Sequence, residues 1–571
     1  MSIHRLLRTA LVAVVALSLT ACASLPTSGD VRPGLSSTDH DADTDVTYVP
    51  NGPSVGASSE QIVRGFIDAA SSPADNWAIA RQFLAAEFAD NWKPHAGVTI
   101  DTSISDRRFE AADPEDAGDT QTIQLSMKQS GSVDEAGVYS AVAGPARGAE
   151  LTFQLKKNEQ GEWRITVAPD GVVLDAPAFA AADVFRPYAL QFFDPTWSYL
   201  VPDVRWFPKR KSTASRVVQS LVDGGPSPWL AESVRTAFAG DIELARDTVP
   251  VEGQIAEVEL TAAAQGADAA TLGRLRTQLE RSLIGAGVTG VRLMSGGREL
   301  VAPAVPVAPA TVDSRPLVLT DEGFGYLVGG EVENLPRVAE EILTFPQPIR
   351  AIVAGPDGAP FTVVQSEAGA VYSIGDGQIN ELDSRPGLIT PSLDRFGYTW
   401  TVPATVPSGV LAWTSEVAER PVAGFADASA ISQLVVSREG TRVAAVVTVG
   451  SQQQVEVAGV VRDERGLPTR LGEPISLGWL TGPVLGLAWL DSETIGVLTK
   501  DGDDTLLLQM PIGGPSVTMD VPDDAVALAP STPASSVRLL GADGVLWSRS
   551  GPTWQSERAN VRVLATQISG S

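Results

Sequence analysis

The apolar residues of this chain change period along its length, and each period predicts a different kind of element. Ser58 is placed to cap a helix, with Gln61 three residues later to complete a capping box. Ile62, Val63, Phe66, Ile67 and Ala70 then share one helical face, which Pro73 ends. Ile79, Phe83, Leu84 and Phe88 predict a second helix. After that the period falls to two. Ile123, Leu125 and Met127 alternate with polar residues, as do Leu151, Phe153 and Leu155, and Asn158-Glu159-Gln160-Gly161 turns the chain into Trp163, Ile165 and Val167. Helices followed by a meander of curved strands predict an α+β domain over residues 58–180.

A second unit, residues 181–300, mixes the two periods. Residues 189–193 and 200–207 read as strands around a turn at Asp194-Pro195. Val217, Val218, Leu221 and Val222 form a helical face stopped by Gly224-Gly225-Pro226. Residues 255–260 alternate as a strand, Leu272, Leu275, Leu279 and Leu283 stripe a helix, and 288–293 closes with a strand, giving a compact α/β sandwich.

Residues 301–313 form a linker, rich in Pro, Ala and Val over 301–310. From Ser314 onward the chain shows short strands, Gly/Asp turns and no long helical pattern. Segments recur there. Pro391-Ser392-Leu393-Asp394-Arg395-Phe396-Gly397-Tyr398-Thr399-Trp400 matches Val435-Val436-Ser437-Arg438-Glu439-Gly440-Thr441-Arg442-Val443-Ala444, and Leu487-Ala488-Trp489-Leu490-Asp491-Ser492 begins a third copy. Gly369-Ala370-Val371-Tyr372-Ser373 pairs with Gly544-Val545-Leu546-Trp547-Ser548. Spacings of about 40 to 50 residues are those of a four-stranded propeller blade, so residues 314–571 give about six blades, with five or seven also compatible. A pair of β-sandwiches accounts for the strands but not for the recurrence.

The first residues add an address. His4, Arg5 and Arg8 precede residues 10–19, which carry no charged or amide side chain. That is the layout of a signal peptide over residues 1–21, with a core too short to span a bilayer. It closes on Leu19-Thr20-Ala21-Cys22, the lipobox of bacterial lipoproteins. The small residues let the peptidase approach the backbone, and the thiol accepts a diacylglyceryl group before cleavage between Ala21 and Cys22. Cys22 is the only cysteine, so no internal disulfide competes for it, and it is expected to become an N-palmitoyl, S-diacylglyceryl cysteine. Two or three acyl chains, at about 0.8 kcal/mol per buried methylene, anchor stably. Residues 22–57 then form the lipidated N-terminus and a flexible tether rich in Ser, Thr, Gly, Pro and Asp.

Charge narrows the partners. The chain carries −27, and loss of Arg5 and Arg8 with the signal takes it to −29. Such a body is repelled by nucleic acid and by anionic lipid heads, so membrane attachment rests on the lipid, on the extracytoplasmic face.

Three local patterns carry a family resemblance. Gly161-Glu162-Trp163-Arg164-Ile165 resembles the ending of NTF2-like domains, and Leu221-Val222-Asp223-Gly224-Gly225-Pro226 resembles the turn of GerM-type domains of bacterial envelope proteins. Cys22-Ala23-Ser24-Leu25-Pro26-Thr27-Ser28-Gly29, with the order of parts behind it, is similar to the LpqB family of actinobacterial lipoproteins. The resemblance implies a multidomain, mainly β fold: an N-terminal NTF2-like α+β domain, a GerM-type α/β sandwich and a C-terminal β-propeller. It also implies a non-catalytic role, in which the protein binds the extracytoplasmic domain of an MtrB-like sensor histidine kinase. That binding would modulate two-component signalling linked to cell-wall metabolism and division. No residue is assigned to that contact by motif.

Candidate chemistry is sparse. The histidines are His4, His40 and His95, so neither a Ser-His-Asp set nor a histidine metal site can form beyond residue 95. His95 follows Lys93-Pro94 and reads as a surface histidine in a loop, while the acidic run Asp39-His40-Asp41-Ala42-Asp43-Thr44-Asp45 reads as solvated linker. Asp501-Gly502-Asp503-Asp504 reads as a hairpin turn, not a calcium loop. No phosphate-binding loop is present, and no catalytic residue, metal or cofactor is expected. The 69 Asp and Glu residues leave one rival open: a glycan-binding protein or glycoside hydrolase working on cell-wall glycan through the propeller channel. Facing carboxylates about 5 to 9.5 Å apart would mark hydrolysis, and a channel of apolar and scattered polar side chains would mark binding.

Overall fold

Ser58 opens the first domain with a complete capping box: its Oγ accepts from the Gln61 amide (3.2 Å), and Gln61 Oε1 accepts from the Ser58 amide (2.9 Å). The computed structural model describes residues 50–568 apart from 113–117, 143, 145, 211, 239 and 356–360. Ala21, Cys22, His40 and the lipobox therefore lie outside the described residues. The helix Ser59–Ala70 buries Ile62, Val63, Phe66 and Ile67, and Phe66 meets Trp92 and Phe153 edge-on at 5.0 and 6.2 Å. Phe153 belongs to a sheet ordered Trp163–Val167, Arg147–Lys157, Thr120–Val133, Val98–Asp101, Val172–Asp175, antiparallel except for the last pair.

The second helix expected through Ile79, Phe83, Leu84 and Phe88 is broken. Ala78–Arg81 is helical, but Leu84 then bridges to Ile165. The Ile165 amide donates to the Phe83 carbonyl (2.9 Å), and the Ala85 amide donates to the Ile165 carbonyl (2.8 Å). Backbone groups committed to a sheet edge cannot also serve a helix ladder, and helix resumes only at Ala86–Ala89.

In the second domain Phe185–Phe193 and Leu200–Pro208 pair as a long hairpin. A separate sheet is ordered Val251–Glu252, Ile255–Glu259, Gly290–Ser295, Arg298–Glu299, its central pair parallel. The helix Ala269–Ser282 makes that crossover, capped by Asp268 Oδ1 on the Thr271 amide (2.7 Å), and Leu272, Leu275, Leu279 and the following Leu283 bury its stripe. The linker is held to this helix: the Thr277 hydroxyl donates to the Val305 carbonyl (3.1 Å) and accepts from its amide (2.8 Å).

Six blades follow. Ile349–Ala354, Ser392–Leu393, Ala428–Val436, Val484–Trp489 and Ala525–Ala529 are the inner strands of blades two to six. Blade one takes Leu317–Leu319, Phe324–Val328 and Glu331–Asn334 from the start of the domain and its inner strand, Val563–Gln567, from the end. Joining the two ends of the domain in one blade closes the ring and leaves no open sheet edge at the seam. The segments at Pro391, Val435 and Leu487 are inner-strand turns, while the Gly369 and Gly544 pair marks the turn between the second and third strands of blades two and six. In blade three Asp394 Oδ1 accepts from the Phe396 and Tyr398 amides (both 2.9 Å), and in blade five Asp491 Oδ1 accepts from the Glu493 amide (2.8 Å). Asp501 pairs with Asp504 across a two-residue hairpin with Gly502 at φ 65°, a conformation glycine takes without strain.

The second domain is keyed into the propeller. Trp229 and Leu230 enter an apolar cluster with Val455, Val457, Leu477 and Leu480 of blade four. Gly459 makes this approach feasible, because a Cβ there would stand 2.3 Å from Ser233 Oγ and 3.0 Å from the Trp229 carbonyl. Arg395 lies over the Tyr199 ring (4.4 Å) with Asp194 at 3.8 Å.

Candidate functional site

Six inner strands surround an axial cavity of ≈ 380 Å³. Its wall is mostly aliphatic, with Gln433, Thr566 and Gln567 among its few neutral polar side chains and three arginines, Arg350, Arg438 and Arg562. Among the described residues no Asp or Glu lines it. The facing carboxylates that the hydrolytic reading requires are therefore not found in the described channel wall.

The two ends of the channel differ. The inner strands of blades one and two run parallel with Val353 opposite Thr566, which puts Arg350 and Arg562 at the same end. Both are exposed, as is Val526 at 41%. Arg562 has Asp321 at 3.4 Å, while Arg350 forms no ion pair among the described residues. At the other end the linker crosses the axis. Arg438 Nη1 donates to the Ala310 carbonyl (3.3 Å), Gln567 Nε2 to the Asp313 carbonyl (3.2 Å), and the Val312 amide to Thr532 Oγ1 (3.2 Å). Arg438 is 7% exposed and also donates to the Trp489 and Leu490 carbonyls (3.0 and 2.7 Å). Burial lowers its pKa, with Asp491 and Glu439 opposing that shift. The channel is thus an arginine-bearing socket with Arg350 and Arg562 at one end and the linker bonded across the other.

Next to its linker end sits a buried pair, Arg442 Nε on Glu439 Oε1 (2.8 Å), with the guanidinium 4.6 Å from the Trp489 ring. Trp400, Trp413 and Trp489 are buried, as strand-borne aromatics are expected to be. Among the described residues no group of three His, Cys, Asp or Glu could hold a metal ion, and no helix is long and apolar enough to cross a membrane. His95 lies on the one-turn helix Pro94–Ala96, 4.8 Å from Trp77 and away from the channel. Sequence reasoning did not single out Arg350, Arg438 or Arg562. A usable signal existed for two of them: Arg350 and Arg562 each stand directly before an inner-strand apolar run, Ala351-Ile352-Val353 and Val563-Leu564-Ala565.

Two family models match this architecture. One, described as Lipoprotein LpqB, N-terminal domain, matches residues 52–180, and the other, Lipoprotein LpqB beta-propeller domain, matches 325–563. The chain belongs to the LpqB lipoprotein family. A Lipoprotein LpqB of Nocardia farcinica is 27% identical over 548 residues, covering 87% of this chain and 85% of its own. That of Mycolicibacterium smegmatis is 26% identical over 595 residues, covering 92% and 93%. Neither name denotes an enzyme. Among solved structures, TolB from Acinetobacter baumannii aligns over 53% of this chain and 86% of its own at a TM-score of 0.34 and 13% identity.

Proposed function

We propose that this LpqB-family chain is a non-catalytic lipoprotein, anchored through Cys22 on the extracytoplasmic face. In this reading its propeller socket receives an acidic segment of a membrane partner. The partner is the extracytoplasmic sensor domain of an MtrB-like histidine kinase, whose output to two-component signalling in cell-wall metabolism and division the protein modulates. One observation carries this reading: in a chain of net charge −27 three arginines and, among the described residues, no carboxylate line the channel wall itself. Positive charge in a low-dielectric, walled cavity attracts and orients an acidic ligand more strongly than on an open surface. Tethering to the same membrane raises the effective concentration of both partners, so a weak contact suffices for regulation.

Crosslinking in intact membranes tests it. The full chain is expected to capture the kinase sensor domain, the charge reversal Arg350→Glu to weaken capture, and Cys22→Ala to release the protein from the membrane fraction. Absence of the kinase from the captured material, together with unchanged kinase output on deletion, overturns the reading.

A further inference from the structure

We propose that the cavity between the first two domains binds a small oxyanion, phosphate or carboxylate, carried on an apolar body. The cavity is ≈ 520 Å³, within the range of about 300 to 1,000 Å³ typical of small-ligand sites, which favour domain interfaces. Its first-domain wall includes His95, Val98 and Glu135, and its second-domain wall Phe207, Arg210 and Arg216.

Arg210 is the anomaly. Its Nε and Nη2 are buried and have no hydrogen-bond partner among the described residues, and its guanidinium rests on the fully buried Trp77 ring at 4.0 Å. The residue is itself only part-buried, but two buried donors without an acceptor are an orphaned pair, and such donors call for one. The fork of an arginine matches the paired oxygens of a phosphate or carboxylate. Arg216 adds a second cation, with Nη2 on the Glu135 carbonyl at 2.8 Å.

Three carboxylates also border the cavity: Asp134, Glu135 and Asp247. Asp134 Oδ1 is engaged by the Val138 amide (2.8 Å), and none of the three bonds Arg210 among the described residues. The surrounding charge agrees: burial, then Arg210, Arg216 and Arg81, hold His95 below its ordinary value, and Glu135 opposes them without prevailing. Two arginines and three carboxylates thus share the lining, and the arginines outweigh Glu135 only locally, at His95. The apolar walls, Val98 and Phe207 among them, would take the body of the ligand.

Calorimetric titration of the full chain with inorganic phosphate, phenyl phosphate and benzoate tests the site. Phenyl phosphate or benzoate is expected to bind more tightly than inorganic phosphate, and their order distinguishes a phosphate from a carboxylate site. Arg210→Gln is expected to weaken binding about tenfold or more. Without ligand it should melt close to the parent, because the two buried nitrogens it removes have no hydrogen bond to lose. Arg216→Gln, at an exposed position, provides a second loss of affinity should Arg210→Gln fold poorly. No heat from any of the three probes, or equal affinity in the parent and both variants, overturns the proposal.

Discussion

The indole N–H of Trp206 donates to the carbonyl of Gly513 at 2.6 Å, joining the hairpin of the second domain to blade five of the propeller. The same ring packs on Phe179 of the first domain, with centroids 4.1 Å apart. One side chain thus touches all three folded domains, and it does so through two separable interactions. Trp206→Phe keeps an aromatic ring and removes the donor. It is expected to cost about 1 kcal/mol, the net worth of a hydrogen bond to a part-buried carbonyl. A denaturant midpoint equal to that of the parent would show that this bond contributes nothing.

The docking of Trp229 on blade four depends on the bare backbone at Gly459. Gly459→Ala places a Cβ against Ser233 Oγ, which is already committed to the Leu230 carbonyl (2.9 Å) and cannot swing away without losing that bond. Overpacking of this kind costs about 1 to 3 kcal/mol. Limited proteolysis is expected to cut residues 301–313 faster in the variant, and equal cutting rates would count against the docking described.

Glu439 and Arg442 form the most deeply buried ion pair beside the channel, with side chains 2% and 0% exposed. Burial alone would raise the Glu439 pKa, but Arg442 and the hydroxyl of Ser437 outweigh it and hold the carboxyl below its ordinary value. A depressed folded pKa means that the unfolded chain binds the extra proton. This contribution is therefore complete above about pH 4.3, the ordinary Glu value, and fades as pH falls through the folded value. Glu439→Gln leaves Arg442 without its counter-charge and is expected to cost about 3 to 5 kcal/mol, with a shallower acid limb in the stability profile. An unaltered acid limb would remove Glu439 from the explanation of acid sensitivity.

His95 acts in the same direction, in a higher pH window. Its imidazole is held below the ordinary value of about 6.5, first by burial and then by Arg210, Arg216 and Arg81. A base with a lowered folded pKa takes up its proton more readily when unfolded, so the contribution is whole above about pH 6.5 and declines below it. Comparing melting profiles of the parent and His95→Asn isolates this term from the carboxylates. The parent should lose stability relative to the variant between neutral pH and about pH 5, and parallel curves would contradict the assignment.

Arg350 is exposed and makes no ion pair among the described residues, so charge reversal there is expected to leave stability within about 0.5 kcal/mol. The socket loses one of the two arginines at its mouth. Binding of an acidic peptide by Arg350→Glu should be weaker and less salt-dependent than by the parent. A peptide affinity that ignores both salt and this substitution would mean that the channel mouth is not the contact.

Periodicity carried much of the fold because it reports which face of an element is buried, and that is a local property. The stripe Leu272, Leu275, Leu279 and Leu283 is helical and buried, and the recurrences at Pro391, Val435 and Leu487 fall on equivalent inner-strand turns. The failure at Leu84 is instructive. Its spacing fits a helix, but Ile165, some eighty residues away, supplies backbone partners that the local pattern cannot register.

By itself the sequence determined most strand and helix faces, the blade-length repeats and the acidic charge of the body, because each depends on residues close together in the chain or on composition alone. The tertiary structure alone decided that Val563–Gln567 completes the first blade, that Arg350, Arg438 and Arg562 share one channel, and that Arg210 comes to rest on Trp77 without a carboxylate. Those are meetings between distant segments. Their partners are chosen by ring closure and domain docking, which no stretch of sequence contains.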